Sequence, residues 1–93
     1  MIKTVWVFHG TGGRFSSAIF SSIDIAGNWI RSNRLSGVLT EYPIDVSVYD
    51  WAIDNDYFEV KKADQATPLF MQNFTCASQE HFHFEDGKRD DED

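Results

Sequence analysis

Ninety-three residues leave room for one domain and little more. A content of 42% hydrophobic and 15% aromatic residues excludes a disordered chain, and no apolar run approaches the roughly 20 residues that span a bilayer. The net charge is −7 and the basic residues form no stripe, so neither nucleic-acid binding by direct charge attraction nor membrane attachment is expected.

In chain order, Lys3 to His9 reads as a strand. Val5 and Val7 point one way and Trp6 and Phe8 the other, which suits a central strand covered on both faces. Gly10, Thr11, Gly12 and Gly13 break the run as a turn, and Arg14 to Phe20 follows as the second strand of a hairpin. Ser21 or Ser22 caps a helix whose face is Ile23, Ala26 and Ile30, with Trp29 at its border. Arg31 and Arg34 fall in its last turn and Gly37 serves as its stop. Val38 to Tyr42 is a third strand, limited by Pro43, and Asp45 then caps a second helix near 46–55.

Residues 57–67 read as a polar connection anchored by Tyr57, Phe58 and Val60, and Pro68 opens a short third helix. Glu80 to Glu85 alternates as the last strand, with Phe82 and Phe84 on one face and His81, His83 and Glu85 on the other. The last nine residues, EDGKRDDED, hold six acids and two bases, which predicts an acidic disordered tail from residue 87 behind a single domain over 1–86. The order β-β-α-β-α-β predicts an α+β fold, a small mainly antiparallel sheet with helices packed on one face.

Cys76 is alone, so no intramolecular disulfide can form. A single cysteine and an N-terminal MIKTVWVF without an apolar h-region or cleavage site make the cytoplasm the expected location.

Four groups of residues invite a chemical reading. His9-Gly10-Thr11-Gly12-Gly13 after an apolar strand has the look of an oxyanion loop, but no G-x-S-x-G elbow accompanies it. The same glycines with Arg14 are candidates for an anion cradle, although no P-loop lysine follows. His81 and His83, two apart on a strand, share a face and present two imidazoles to one metal. His9, Glu80, Glu85, Asp86 or Cys76 would have to complete the three or four ligands that zinc needs. Tyr42, Tyr49, Asp50 and Trp51 form an aromatic and acidic cluster of the kind favoured at protein interfaces, with Trp51 expected in the core and Tyr49 or Asp50 more exposed. No pair of carboxylates is marked as buried and opposed, so general acid–base work has no candidate.

The strings WVFHGTGGRF, LSGVLTEYPIDVSVYDWAI and NFTCASQEHFHFEDG resemble a family of small bacterial proteins, a domain of unknown function. The likeness runs from Val5 to Gly87. It departs from the family pattern at Ser16, where proline is usual, and at Cys76, where serine is usual. The resemblance implies a self-contained bacterial domain and carries no activity, cofactor or catalytic residue with it.

The expectation is therefore a non-catalytic, acidic, protein-binding module of the inhibitor, immunity-like or adaptor kind, without cofactor. Its candidate contact residues are His9, Gly10, Gly12, Gly13, Arg14, Tyr49, Asp50, Glu80, His81 and His83. The alternative is a small metal- or anion-binding enzyme built on the glycine turn and the histidines of the last strand. Pairing of two copies through an unpaired strand edge is a further possibility.

Overall fold

A run of apolar residues on both sides of the chain, Thr4–Gly10, forms β1, and it takes a strand on each flank. β2 (Ala18–Phe20) and β3 (Gly37–Pro43) lie on either side of it, β4 (His81–Glu85) follows β3, and β5 (Lys88–Arg89) closes the sheet. All four pairings are antiparallel. The computed structural model describes residues 3–90. Within them the architecture is the expected α+β arrangement, with one more strand than the sequence suggested.

The hairpin between β1 and β2 is looser than a glycine turn implies. β2 is three residues long, and Arg14 to Ser17 belong to the connection. That connection closes on itself, with the Gly13 N–H donating to the Gly10 carbonyl and the Ser17 N–H to the Phe8 carbonyl, both at 2.9 Å. Phe15 stays 79% exposed. Extending the ladder through residues 14–17 would therefore bury little, and the glycines are free to form a wider loop.

Helix α1 (Ile23–Ser32) follows from its cap. The Ser22 hydroxyl accepts from the Ile25 N–H at 3.2 Å, and Asp24 sits in the first turn, where the helix dipole favours an acid. Its end lies earlier than Gly37. Asn33 is the C-cap and Arg34 takes the left-handed position after it, with φ 55°. The Leu35 N–H reaches the Ile30 carbonyl at 3.0 Å and the Arg34 N–H the Arg31 carbonyl at 3.2 Å, the paired bonds of a Schellman motif. Leu35 and Ile30 then meet in the core.

That core lies between α1 and one face of the sheet. Trp6, Phe8, Leu39 and Phe84 from the strands pack against Ala26 and Ile30 from the helix. Ile30 and Leu39 are fully buried, each contributing about 1.5–3 kcal/mol by removal from water. Trp29 is half-buried and seals the β2 side, with its ring centroid 5.7 Å from Phe8 and 5.5 Å from Phe20. Gly37 is required where β3 passes β1. A Cβ there would collide with the His9 carbonyl oxygen and stand 2.8 Å from both Gly10 Cα and the Phe8 ring.

The second half of the chain builds a smaller core of its own. Helix α2 (Val48–Asp54) is capped by Ser47, whose hydroxyl accepts from the Asp50 N–H at 2.9 Å. The expected cap, Asp45, instead holds a left-handed turn at φ 66°, and this delays the helix by two residues. The supposed polar connection contains a 3₁₀ turn, Ala63–Ala66, and leads into α3 (Pro68–Gln72), with Thr67 as cap and Pro68 in the first turn. Tyr49, Phe58, Phe70 and Phe74 form a tetrad in which each ring meets every other, at centroid separations from 5.0 to 6.2 Å. Tyr49 is thus core, at 6% exposure, and its hydroxyl donates to the Gln65 carbonyl at 2.7 Å. Trp51, expected in the core, is half-buried against exposed Tyr57, and Val60 is exposed rather than an anchor.

The final correction concerns the tail. Asp86 and Gly87 have φ of 52° and 85°, the two positive values of a type I′ turn, and they join β4 to β5 through the pair Glu85 and Lys88. The expected boundary at residue 86 therefore falls inside a hairpin, and residues 91–93 of the acidic segment lie outside the described residues.

Two substitutions probe these contacts. Gly37→Ala is expected to cost about 2–3 kcal/mol, because the colliding atoms are backbone. Tyr49→Phe should cost about 1 kcal/mol by leaving the Gln65 carbonyl without its donor. Urea denaturation of each variant measures both.

Candidate functional site

Strand register decides which side chains share the face opposite α1. Val7 lies between Ile19 and Thr40, and Thr40 is paired with His81. His9 is paired with Val38 and Val38 with His83, while Val5 is paired with Tyr42. Because side chains alternate along a strand, these residues all point to the side that the helix does not cover. Val5, Val7, Val38 and Thr40 in the middle are half-buried, and Ile19 at 67% and Tyr42 at 38% are exposed. An open antiparallel face ordinarily carries polar residues. Here the middle is aliphatic, the rim is imidazole and aromatic, and charge enters only at Glu85 and Lys88 beside the β4–β5 turn.

One side of this face forms a shallow cleft of about 300 Å³ between β3 and the segment Thr75–Gln79. Val38, Thr40, Tyr42 and His81 form its floor and half-buried Cys76 its wall. The wall is held by Gln79, the one buried polar side chain among the described residues, whose amide donates to the Glu41 carbonyl at 3.0 Å.

The three histidines share the face without converging on one point. His9 and His83 are separated by Val38, hence by two strand spacings, or about 10 Å. His81 and His83 are closer, with ring centroids 5.5 Å apart. Two of the rings are already engaged: His9 donates from Nε2 to the Gly13 carbonyl and His81 from Nδ1 to the Gln79 carbonyl, each at 2.7 Å. Among the described residues no group of three histidine, cysteine or acidic side chains is placed to hold a metal ion. The glycine turn and the last strand do not lie side by side, because β3 runs between β1 and β4.

The remaining candidate residues are scattered. In the glycine loop, the Thr11 N–H donates to the Ser36 carbonyl and the Gly13 N–H to the Gly10 carbonyl, so two amides of the supposed anion cradle are used internally. Gly12, at φ 82°, and Gly10 shape the turn. Arg14 is exposed and leans 5.9 Å over the Phe15 ring. Asp50 is exposed in the first turn of α2, and Tyr49 is buried in the tetrad. Glu80 is exposed, and its carbonyl accepts from the Glu41 N–H. Sequence reasoning found the histidines of the open face but missed Val7, Ile19, Val38 and Thr40 as its surface. The alternation that put Val5 and Val7 opposite Trp6 and Phe8 was the available signal.

Neither the curated proteins nor the solved structures contain a match to the chain. The family described as "Domain of unknown function (DUF7710)" matches residues 5–90, nearly the whole of the described fold, and the chain belongs to that family.

Proposed function

We propose that the chain is a non-catalytic module that binds a protein partner through the uncovered face of its sheet. The observation that carries this reading is the composition of that face. The sequence has fifteen acidic residues, yet the area spanned by Val5, Val7, Ile19, Val38, Thr40 and Tyr42 has none. An aliphatic centre with a histidine and tyrosine rim matches the depletion of charge found at the middle of protein interfaces. Elsewhere the negative surface keeps the module soluble and favours a partner whose rim is basic. A cytoplasmic location and a bacterial host go with this proposal.

The enzymatic alternative draws less support. The histidine rings at positions 9 and 81 are tied to backbone carbonyls, and no third metal ligand stands near His81 and His83 among the described residues.

Thr40→Arg, in the middle of the face, tests the proposal directly. The hydroxyl of Thr40 forms no hydrogen bond within the described residues, so the circular dichroism spectrum and Tm are expected to change little. Recovery of a stoichiometric partner from the native host should fall about tenfold, since an unpaired charge at an interface centre costs at least 1.4 kcal/mol, roughly one decade of affinity. Equal recovery with the wild-type and Thr40→Arg proteins would defeat the reading.

A further inference from the structure

We propose that His81 and His83 form half of a zinc site, which a second copy of the chain completes with the same two residues across the open sheet face. The two side chains stand two residues apart on β4, both exposed on the face that α1 leaves uncovered. Two imidazoles bound through nitrogen to one tetrahedral ion, with bonds of about 2.0–2.1 Å, have ring centres about 5 Å apart. Those of His81 and His83 are 5.5 Å apart.

Hydrogen bonding prepares the pair. His81 Nδ1 lies 2.7 Å from the Gln79 carbonyl oxygen, which can only accept, so the proton is on Nδ1 and the lone pair of Nε2 is free for a metal. A backbone carbonyl on the far nitrogen is a usual partner of metal-bound histidines, because it fixes both tautomer and ring orientation. Gln79 is itself held, since its buried side chain donates to the Glu41 carbonyl at 3.0 Å. Neither ring nitrogen of His83 has a hydrogen bond or ion pair among the described residues. In the ladder the two histidines are paired with Thr40 and Val38 of β3, so no cation of that strand competes with a metal. Glu85 shares the face and offsets Lys88, its partner on β5.

Zinc held in this way takes four ligands. Asp90 lies opposite His83, with its N–H bonded to the His83 carbonyl at 2.9 Å, yet no acid, thiol or third histidine among the described residues is placed to complete the site. A two-fold axis through the ion supplies the missing pair, and two-fold symmetry is the commonest in homo-oligomers. Sheets in face-to-face contact lie about 10 Å apart, and the same contact covers half-buried Val38 and Thr40. Two copies of net charge −7 repel each other, so the dimer depends on the ion that links them. The inference uses the same face as the proposed partner but does not rest on that reading: recovery of a host partner in EDTA reports on the partner, and zinc-dependent mass reports on the dimer.

Light scattering and calorimetric titration of zinc into the untagged full chain test the site. In EDTA the chain is expected to be a monomer; with zinc the mass should double, at one ion per two chains. His83→Asn should abolish the doubling and weaken zinc binding more than about tenfold, since even an outer-shell partner is worth about 10–100-fold. Its circular dichroism spectrum should be unchanged, because the ring is exposed. Cys76→Ser and Asp90→Asn should keep the zinc-dependent doubling. Binding of one zinc per chain without a change in mass overturns the proposal, as does a dimer that survives EDTA or a doubling that survives His83→Asn. Loss of the doubling in Cys76→Ser or Asp90→Asn would assign the ion to a different ligand set and also overturn it.

Discussion

A five-stranded sheet has two faces, and this chain has a single ten-residue helix packed in the main core to put on them. That helix is about 15 Å long at 1.5 Å per residue, against a sheet roughly 20–24 Å across at 4.8 Å per strand. It therefore covers the middle of one face and none of the other. The flanks of the covered face are closed by other means. Trp29 leans over Phe8 and Phe20 on the β2 side, and the Arg89 guanidinium lies 4.6 Å above the Phe82 ring on the β5 side. The uncovered face is left with only the segment Thr75–Gln79 along one border.

The aromatic tetrad explains why the rest of the helical material is not used to cover that face. Helices α2 and α3 and the 3₁₀ turn are too short to stand alone, and they bury their rings against each other. Tyr49 is the hinge of this arrangement, in contact with Phe58, Phe70 and Phe74 and bonded through its hydroxyl to Gln65. The smaller core is tied to the sheet where β3 outruns β4. Beyond the Thr40–His81 pair, the Glu41 N–H donates to the Glu80 carbonyl, and the Gln79 side chain takes the Glu41 carbonyl as a further strand would. No buried side-chain nitrogen or oxygen among the described residues is left without a partner, so this junction costs no unsatisfied polar group.

Strong periodicity made much of this legible in the sequence. The alternation of β4 and the Ile23, Ala26, Ile30 stripe of α1 each reflect burial on one side and appear where expected, whereas β1, expected to be covered on both faces, is central but has α1 only on its Trp6 and Phe8 side. The errors arose where one residue type serves two purposes. Asp45 resembles a cap but holds a left-handed turn, and Ser47 caps instead. Acidic composition predicts a tail from residue 87, although Asp86-Gly87 between an alternating strand and Lys-Arg is the signature of a type I′ hairpin. Residue type alone makes Tyr49 an interface candidate, whereas its burial depends on a hydroxyl bond to the Gln65 carbonyl, a partner sixteen residues away that local pattern cannot reveal. Of the site, the shared face of the histidines was readable, whereas the strand that separates His9 from His83 depends on topology.

The two edges of the sheet bear on how such a surface would be used. β2 pairs over three residues and β5 over two, and β5 carries Lys88 and Arg89. Edges this short, with cations on one of them, offer few free N–H and C=O groups to a strand from another copy. Edge-to-edge dimerisation is therefore disfavoured by the same hairpins that finish the sheet. Face-to-face contact carries no such obstacle, because it relies on side chains standing about 10 Å from the opposing sheet rather than on ladder hydrogen bonds. On the proposed reading, association through the apolar area around Val7, Val38 and Thr40 would meet no such obstacle, and the negative charge elsewhere would disfavour acidic partners.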